Sequence, residues 1–298
     1  MIALAALCLS VVWMLCDEKD RTRPLLVLAL VVNFFYGFLL TAVMGKENSL
    51  VPWKYDFVLA NLDRVLGVTS AQVALPLQGS FRLPLAITYE VLIPMMVAWF
   101  LVARARRAPG SIVIAYVAEM VIGPILYAVV PACGPIYAFH KAWLAPPSVA
   151  SEIVRLNGMP NAFPSLHLAT ALLFVFYAPS KLWRGISFLF LAGTAAATLS
   201  TGEHYVIDLL AGLAFGCFAA NVGRRHVSRA AGFLALVLAW TVSVRFAYSA
   251  LLAHAWLLRS FAMITLLATL AGILQEWRES GQESSTDSGE LASLSATA

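Results

Sequence analysis

Residues 160–173 read PNAFPSLHLATALL, and residues 201–212 read TGEHYVIDLLAG. In each, a histidine opens an apolar run: His167 enters the run 165–180, and His204 enters 205–222. A further run, 185–201, lies between them and is joined to the first by the short basic turn SKLWRG. The runs 165–180 and 185–201 predict a helical hairpin. A hairpin returns the chain to the surface it left, so His167 and His204 fall at the same end and can converge. His204 and Asp208 are spaced i, i+4, so both lie on one face if a helix begins near His204.

The rest of the chain says which solvent surrounds that hairpin. Of 298 residues, 61% are hydrophobic and 12% charged, with a mean hydropathy of +0.82. A soluble domain carries about 25% charged residues. Too little polar surface remains here to cover an aqueous globule, so the bilayer is the expected solvent. The net charge of +4 is small for nucleic-acid binding, and no nucleic-acid partner is expected. A helix crosses the hydrocarbon in roughly 20 apolar residues. Segments 1–16, 24–44, 84–103, 111–130, 165–180, 185–201, 205–222, 229–250 and 252–274 meet or approach that length. The expected fold is all-α, a polytopic membrane helical bundle of about nine transmembrane helices. The start, MIALAALCLSVVWMLC, has no basic n-region and no small-residue cleavage site, and reads as a retained span.

Basic residues set the orientation. Lys19, Arg21 and Arg23, then Arg104, Arg106 and Arg107, then Lys181 and Arg184, then Arg224, Arg225 and Arg229 occupy short loops on one side, the expected cytoplasmic side. Segments 45–83 and 131–164, with both histidines, then face the periplasm, the cell exterior or an organelle lumen. Within 45–83, WKYDFVLANLDRVLG spaces Asp56, Asp63 and Arg64 among apolar residues at helical intervals and is expected to lie in the membrane interface. Segment 131–164 carries PACGP, APP and GMPNAFP, a Pro and Gly density that forbids long helix and implies an ordered loop or re-entrant cap. The tail 279–298 is Ser-rich and acidic, and is expected to be disordered. Cys8, Cys16, Cys133 and Cys217 form no disulfide or zinc pattern.

The residue types at the histidine mouths fit phosphorus chemistry without a metal or cofactor. A carboxylate that accepts from one imidazole nitrogen fixes the tautomer and leaves the other free as nucleophile or base. Asp208 can do this for His204. His167 can protonate a leaving group. Ser165 and the first N–H groups of its helix can hold an anion. The bland reading is an interfacial histidine and a structural His/Asp bridge. Two histidines and an aspartate at one surface favour chemistry, since ionisable groups at membrane depth are costly and tend to be functional.

At these residues the sequence resembles the PAP2 (phosphatidic acid phosphatase type 2) superfamily, and within it the Aur1-type inositolphosphorylceramide synthase branch. PSLH at 164–167 and HYVID at 204–208, followed by LLAG, carry the resemblance; NLDRVLG at 61–67 and PACGPIYAF at 131–139 are weaker matches. The resemblance covers about residues 24–222. It implies His204 as the nucleophile that forms a phosphohistidine, His167 as the acid toward the leaving alcohol, and Asp208 as support for the nucleophile. It also implies a six-helix core. Segment 1–23 then holds an extra span, 24–222 the catalytic membrane domain, 223–278 two additional helices, and 279–298 the tail. Phosphatases of the superfamily carry a Lys-x6-Arg-Pro motif, an arginine six residues before the nucleophile, and PSGH. This chain has only Arg23-Pro24 on the opposite side, Thr198 and PSLH. These departures lean toward the transferase branch and leave the phosphate short of cations. Lys141, Arg155, Arg245 and Arg259 are the candidate phosphate-binding residues, with snorkelling as the competing reading for the last two. Glu119 and Glu90 are expected to be paired structurally, with contact to a substrate hydroxyl as a lesser reading for Glu90.

Two enzyme readings remain open on the sequence: a lipid phosphotransferase moving a phosphoryl or phospho-head group from a phospholipid or lipid phosphate to an alcohol, and a lipid phosphate phosphatase. A proton-coupled transporter using His167, His204, Asp208 and Glu119 is the reading from another class. It lacks the paired broken helices many transporters show. Oligomeric state is not readable from the sequence.

Overall fold

The computed structural model describes residues 42, 44–46, 48–92, 95–96, 99–100 and 111–296, with side chains as far as residue 279. The expected spans 1–16 and most of 24–44, the basic clusters at 19–23 and 104–107, and Cys8 and Cys16 lie outside the described residues. The chain is an all-α membrane helical bundle. The helices are α1 (Asp56–Leu66), α2 (Ser70–Ala74), α3 (Arg82–Glu90), α4 (Ile112–Val129), α5 (Pro135–Phe139), α6 (Leu166–Phe176), α7 (Lys181–Ser200), α8 (Val206–Gly223), α9 (Val227–Phe246), α10 (Tyr248–Ala253) and α11 (Ala255–Ala296). Among the described residues, α4, α7, α8, α9 and the Ala255–Glu279 part of α11 are long and apolar enough to cross a bilayer. Helix α6 is shorter, ending at Phe176.

Serines set three helix starts. The Ser111, Ser165 and Ser180 hydroxyls accept from the backbone N–H of Ile114, Leu168 and Trp183, each supplying a partner to an orphan donor of the first turn. The hairpin is α6 followed by α7, closed at its turn by the Ser187 hydroxyl, which donates to the Phe174 carbonyl at 2.9 Å. Helix α8 then runs through the middle of the bundle, buried over most of its length, and packs on α4, α6, α9 and α11. Its contact with α6 is backbone-close. A Cβ at Gly212 would come within 2.6 Å of the Ser165 carbonyl oxygen, and one at Gly216 within 2.8 Å of that of Ala169. Small residues permit such an approach where apolar lipid gives helices no hydrophobic reason to associate.

The two ends of the bundle differ in chemistry. At the end where α6 and α8 finish, Arg224 bonds the Glu276 carboxylate and the Phe176 carbonyl, and Arg229 pairs with Glu279. At the other end sit the histidines, the cap and α1. The cap holds α5, a 3₁₀ turn at His140–Ala142, and a short strand β2 (Val154–Arg155) that pairs antiparallel with β1 (Trp53–Lys54). Long helix is absent from it, as its Pro and Gly content predicts. The ribbon tying it to residues 53–54 has no signature in the sequence.

One expectation changes here. The acidic segment of α1 is more than an interfacial face: Asp56 and Asp63 are buried. Asp56 accepts from the N–H groups of Cys133 and Gly134 and from the Tyr205 hydroxyl. Asp63 accepts from the N–H groups of Val206 (2.9 Å) and Ile207 (3.0 Å), the first two residues of α8. Helix α1 is therefore a bracket under both loops at this end. Burial raises the pKa of both carboxyls, against the donors that favour their charged forms. Along the backbone, α11 continues to Ala296. A segment without proline, attached to an already formed helix, adds turns without a new nucleation cost.

Asp63→Ala removes the side-chain acceptor of the Val206 and Ile207 N–H groups. It is expected to cost about 2 kcal/mol or more, read as a lower thermal midpoint in detergent. Asp63→Asn keeps one acceptor oxygen and should cost less. Equal stability of Asp63→Ala and wild type would mean the start of α8 does not depend on this carboxylate.

Candidate active site

The hairpin and α8 bring the two histidines together. His167 lies in the first turn of α6, and His204 immediately precedes α8. Their ring centroids are 5.7 Å apart with the planes at 67°. The Tyr89 ring of α3 stacks on His167 at 4.3 Å and fixes that ring's plane.

His204 is 1% exposed. Its Nδ1 is 2.9 Å from the Ala162 carbonyl oxygen and 3.5 Å from Asp208 Oδ2. A carbonyl oxygen can only accept, so Nδ1 carries the proton and Nε2 keeps its lone pair. Nε2 has no hydrogen-bond partner among the described residues. The expectation that Asp208 fixes the tautomer is thus met chiefly by a backbone group. At 3.5 Å the carboxylate acts more by charge than by hydrogen bond. Asp208 Oδ2 is committed to the Tyr205 N–H at 2.8 Å, and its own carbonyl accepts from the Ser165 N–H at 3.0 Å. Asp208 therefore links the two histidine loops.

Burial pushes the His204 imidazole down to about 4 from an ordinary 6.5, against the raising effects of the Glu203 charge and the Ala162 carbonyl. The ring is neutral at pH 7. In the free enzyme the acid limb of kcat/KM is therefore expected below the ordinary histidine range. Stability follows the same window: above about pH 6.5 neither state holds this proton, and between 6.5 and about 4 the unfolded chain takes it while the folded one does not. Stability therefore drops as the pH is lowered through that range. A kcat/KM limb centred at 6.5 would contradict a buried neutral imidazole at this position.

The remaining expected site residues are placed as follows. Ser165 is buried, with its hydroxyl committed to capping α6. Arg245 donates to the Tyr55 hydroxyl at 2.7 Å and lies over that ring. Arg259 donates to the Val65 carbonyl at the end of α1. Lys141 and Arg155 are exposed, in the 3₁₀ turn and β2. The structure thus gathers His167, His204, Asp208 and Ser165, while Arg245 and Arg259 bond to residues 55 and 65. Glu119 accepts from the Thr170 hydroxyl at 2.9 Å, the structural pairing expected for it, and Glu90 is exposed.

Sequence reasoning missed two contributors. The Ala162 carbonyl leaves no side-chain signature. Glu203 does have one: it is the neighbour of His204. Its Oε1 accepts from the Tyr137 hydroxyl at 3.2 Å, and burial raises its carboxyl pKa against the pull of His204 and Tyr137.

The apolar helices of the bundle fit a multi-pass membrane protein, and the family match supports a lipid enzyme of phosphatase or phosphotransferase type. No curated protein and no solved structure matches the chain. A family model described as the PAP2 superfamily matches residues 58–222, and the chain belongs to that superfamily.

Proposed function

We propose that the protein is a lipid phosphotransferase of the Aur1-like type, moving a phosphoryl or phospho-head group from a phospholipid to an alcohol at the periplasmic, extracellular or lumenal leaflet. The observation that carries this reading is the His204 ring itself: Nδ1 hydrogen-bonded to a carbonyl and Nε2 without a partner among the described residues, 5.7 Å centroid to centroid from a second imidazole. In the first step His204 Nε2 attacks phosphorus and the P–O bond to the donor alcohol breaks. That alcohol leaves with a proton from His167, whose charged form is favoured by an anionic phosphate beside it. The new phosphoimidazole keeps its Nδ1 proton, and Asp208 balances the developing positive charge. In the second step the acceptor hydroxyl attacks phosphorus, its proton goes to His167, and the P–N bond breaks. His204 returns with its Nε2 lone pair.

The leaflet assignment is supported by the separation of the ends. The arginines at 224 and 229 bond around the far end of α6, α8 and α11, and cytoplasmic loops favour such residues. The transferase reading is supported by Thr198 standing where phosphatases carry arginine, and by the buried nucleophile, since a covalent intermediate held from water waits for an alcohol. Purified protein given labelled phospholipid with and without candidate alcohols tests it. Label is expected to move to the alcohol only when alcohol is present. Release of phosphate or lipid monophosphate at the same rate without acceptor would assign a phosphatase instead.

A further inference from the structure

We propose that Glu203 selects the donor by charge, admitting a singly charged phosphodiester to the histidine pair in preference to a doubly charged phosphomonoester. The inference rests on the phosphoryl-transfer reading and adds a specificity-determining residue to it.

Glu203 is covalently next to the nucleophile and is not free to leave. Its N–H donates to the Thr198 carbonyl at 3.2 Å, and the Ile136 N–H donates to the Gly202 carbonyl just before it at 2.9 Å. Gly134, at φ 93°, passes so close that a Cβ there would come within 2.3 Å of the Glu203 carbonyl oxygen. The carboxylate is held at its far end by the Tyr137 hydroxyl. A main chain pinned on two sides and a head group pinned on a third keep this acid beside His204, and its charge acts on that ring.

An acid there is a poor neighbour for a phosphate. Repulsion scales with the charge of the incoming group, so a dianion meets about twice the penalty of a monoanion. Two arginines near this end are already engaged. Arg245 and Arg259 are committed to Tyr55 and Val65, and position 198 is threonine. A diester carries one negative charge and lacks the oxygen that would bring the second. Structural support of Tyr137 alone would explain a hydrogen bond but would leave ester selection untouched, which gives the two roles different signatures.

The test uses the full-length protein in detergent micelles, with phosphatidic acid as the monoester and phosphatidylglycerol of the same acyl chains as the diester. Binding of both, and turnover of both with an acceptor alcohol in excess, are measured for wild type, Glu203→Gln and Tyr137→Phe. Neutralising the acid is expected to raise the monoester-to-diester ratio of kcat/KM by about tenfold, the effect of one partly screened unit charge. Tyr137→Phe keeps the charge and should leave the ratio near wild type. An unmoved ratio in Glu203→Gln, or an equal shift in both variants, overturns charge selection. Wild type that binds both esters but turns over neither refutes the phosphoryl-transfer reading, and the binding ratio of Glu203→Gln then still decides whether the acid sorts by charge. Binding of neither ester overturns both. Glu203→Ser carries the same test if Glu203→Gln fails to fold.

Discussion

His204→Ala is expected to insert and fold, yet to lose turnover by about 10⁴-fold or more. The loss is large because the proposed route has no substitute for Nε2: without it no covalent bond to phosphorus forms, and one difficult displacement is not divided into two easier ones. The structural cost is small. The ring's polar contact with a protein partner at Nδ1 is chiefly the Ala162 carbonyl, and losing one neutral hydrogen bond costs about 1 kcal/mol. Two measurements separate chemistry from folding. Phosphorus-labelled lipid should leave an acid-labile, base-stable label on wild type and none on the variant. The thermal midpoints of the two proteins should stay close. Turnover by His204→Ala near the wild-type rate would end the case for a phosphohistidine.

His167→Asn is expected to lower kcat by about 10²–10⁴-fold with an ordinary alkyl donor, the usual worth of a positioned general acid. The effect has a signature that mere disruption lacks. A donor with an activated leaving group, such as a nitrophenyl ester, leaves without a proton, so most of the deficit should vanish with it. Phosphohistidine labelling from that donor should persist. Tyr89, stacked on the His167 ring at 4.3 Å, has little reason to move when a planar amide replaces the imidazole. A deficit of equal size for both donors would deny His167 a proton-donating role and leave it a packing role against Tyr89.

The legible part of this molecule was the part written in local pattern. Apolar runs of the right length, a short basic turn and two histidines at matching ends were enough to expect the α6–α7 hairpin and the meeting of His167 and His204, now at 5.7 Å. The i, i+4 spacing placed Asp208 beside His204, though the distance is 3.5 Å and the closer partner is a carbonyl. What was not legible was long-range. Asp56 and Asp63 fit a surface helix by spacing alone, because their partners lie 77 and 143 residues onward and are backbone N–H groups, which no side chain announces. Arg245 and Arg259 read as phosphate cations by depth, and their bonds to Tyr55 and Val65 on the segment 55–65 could not be read from the sequence.

The bracket formed by α1 also has a history in time. When Asp63 leaves the ribosome, the amides it will hold are still 143 residues from being made, and those for Asp56 are 77 residues away. During that interval both carboxylates lack these partners, so α1 reaches its final place only after the loop before α8 has been made. A nascent chain stopped short of residue 206 would then contain a finished hairpin without a finished nucleophile site, and protease access to α1 would mark the moment at which synthesis turns into assembly.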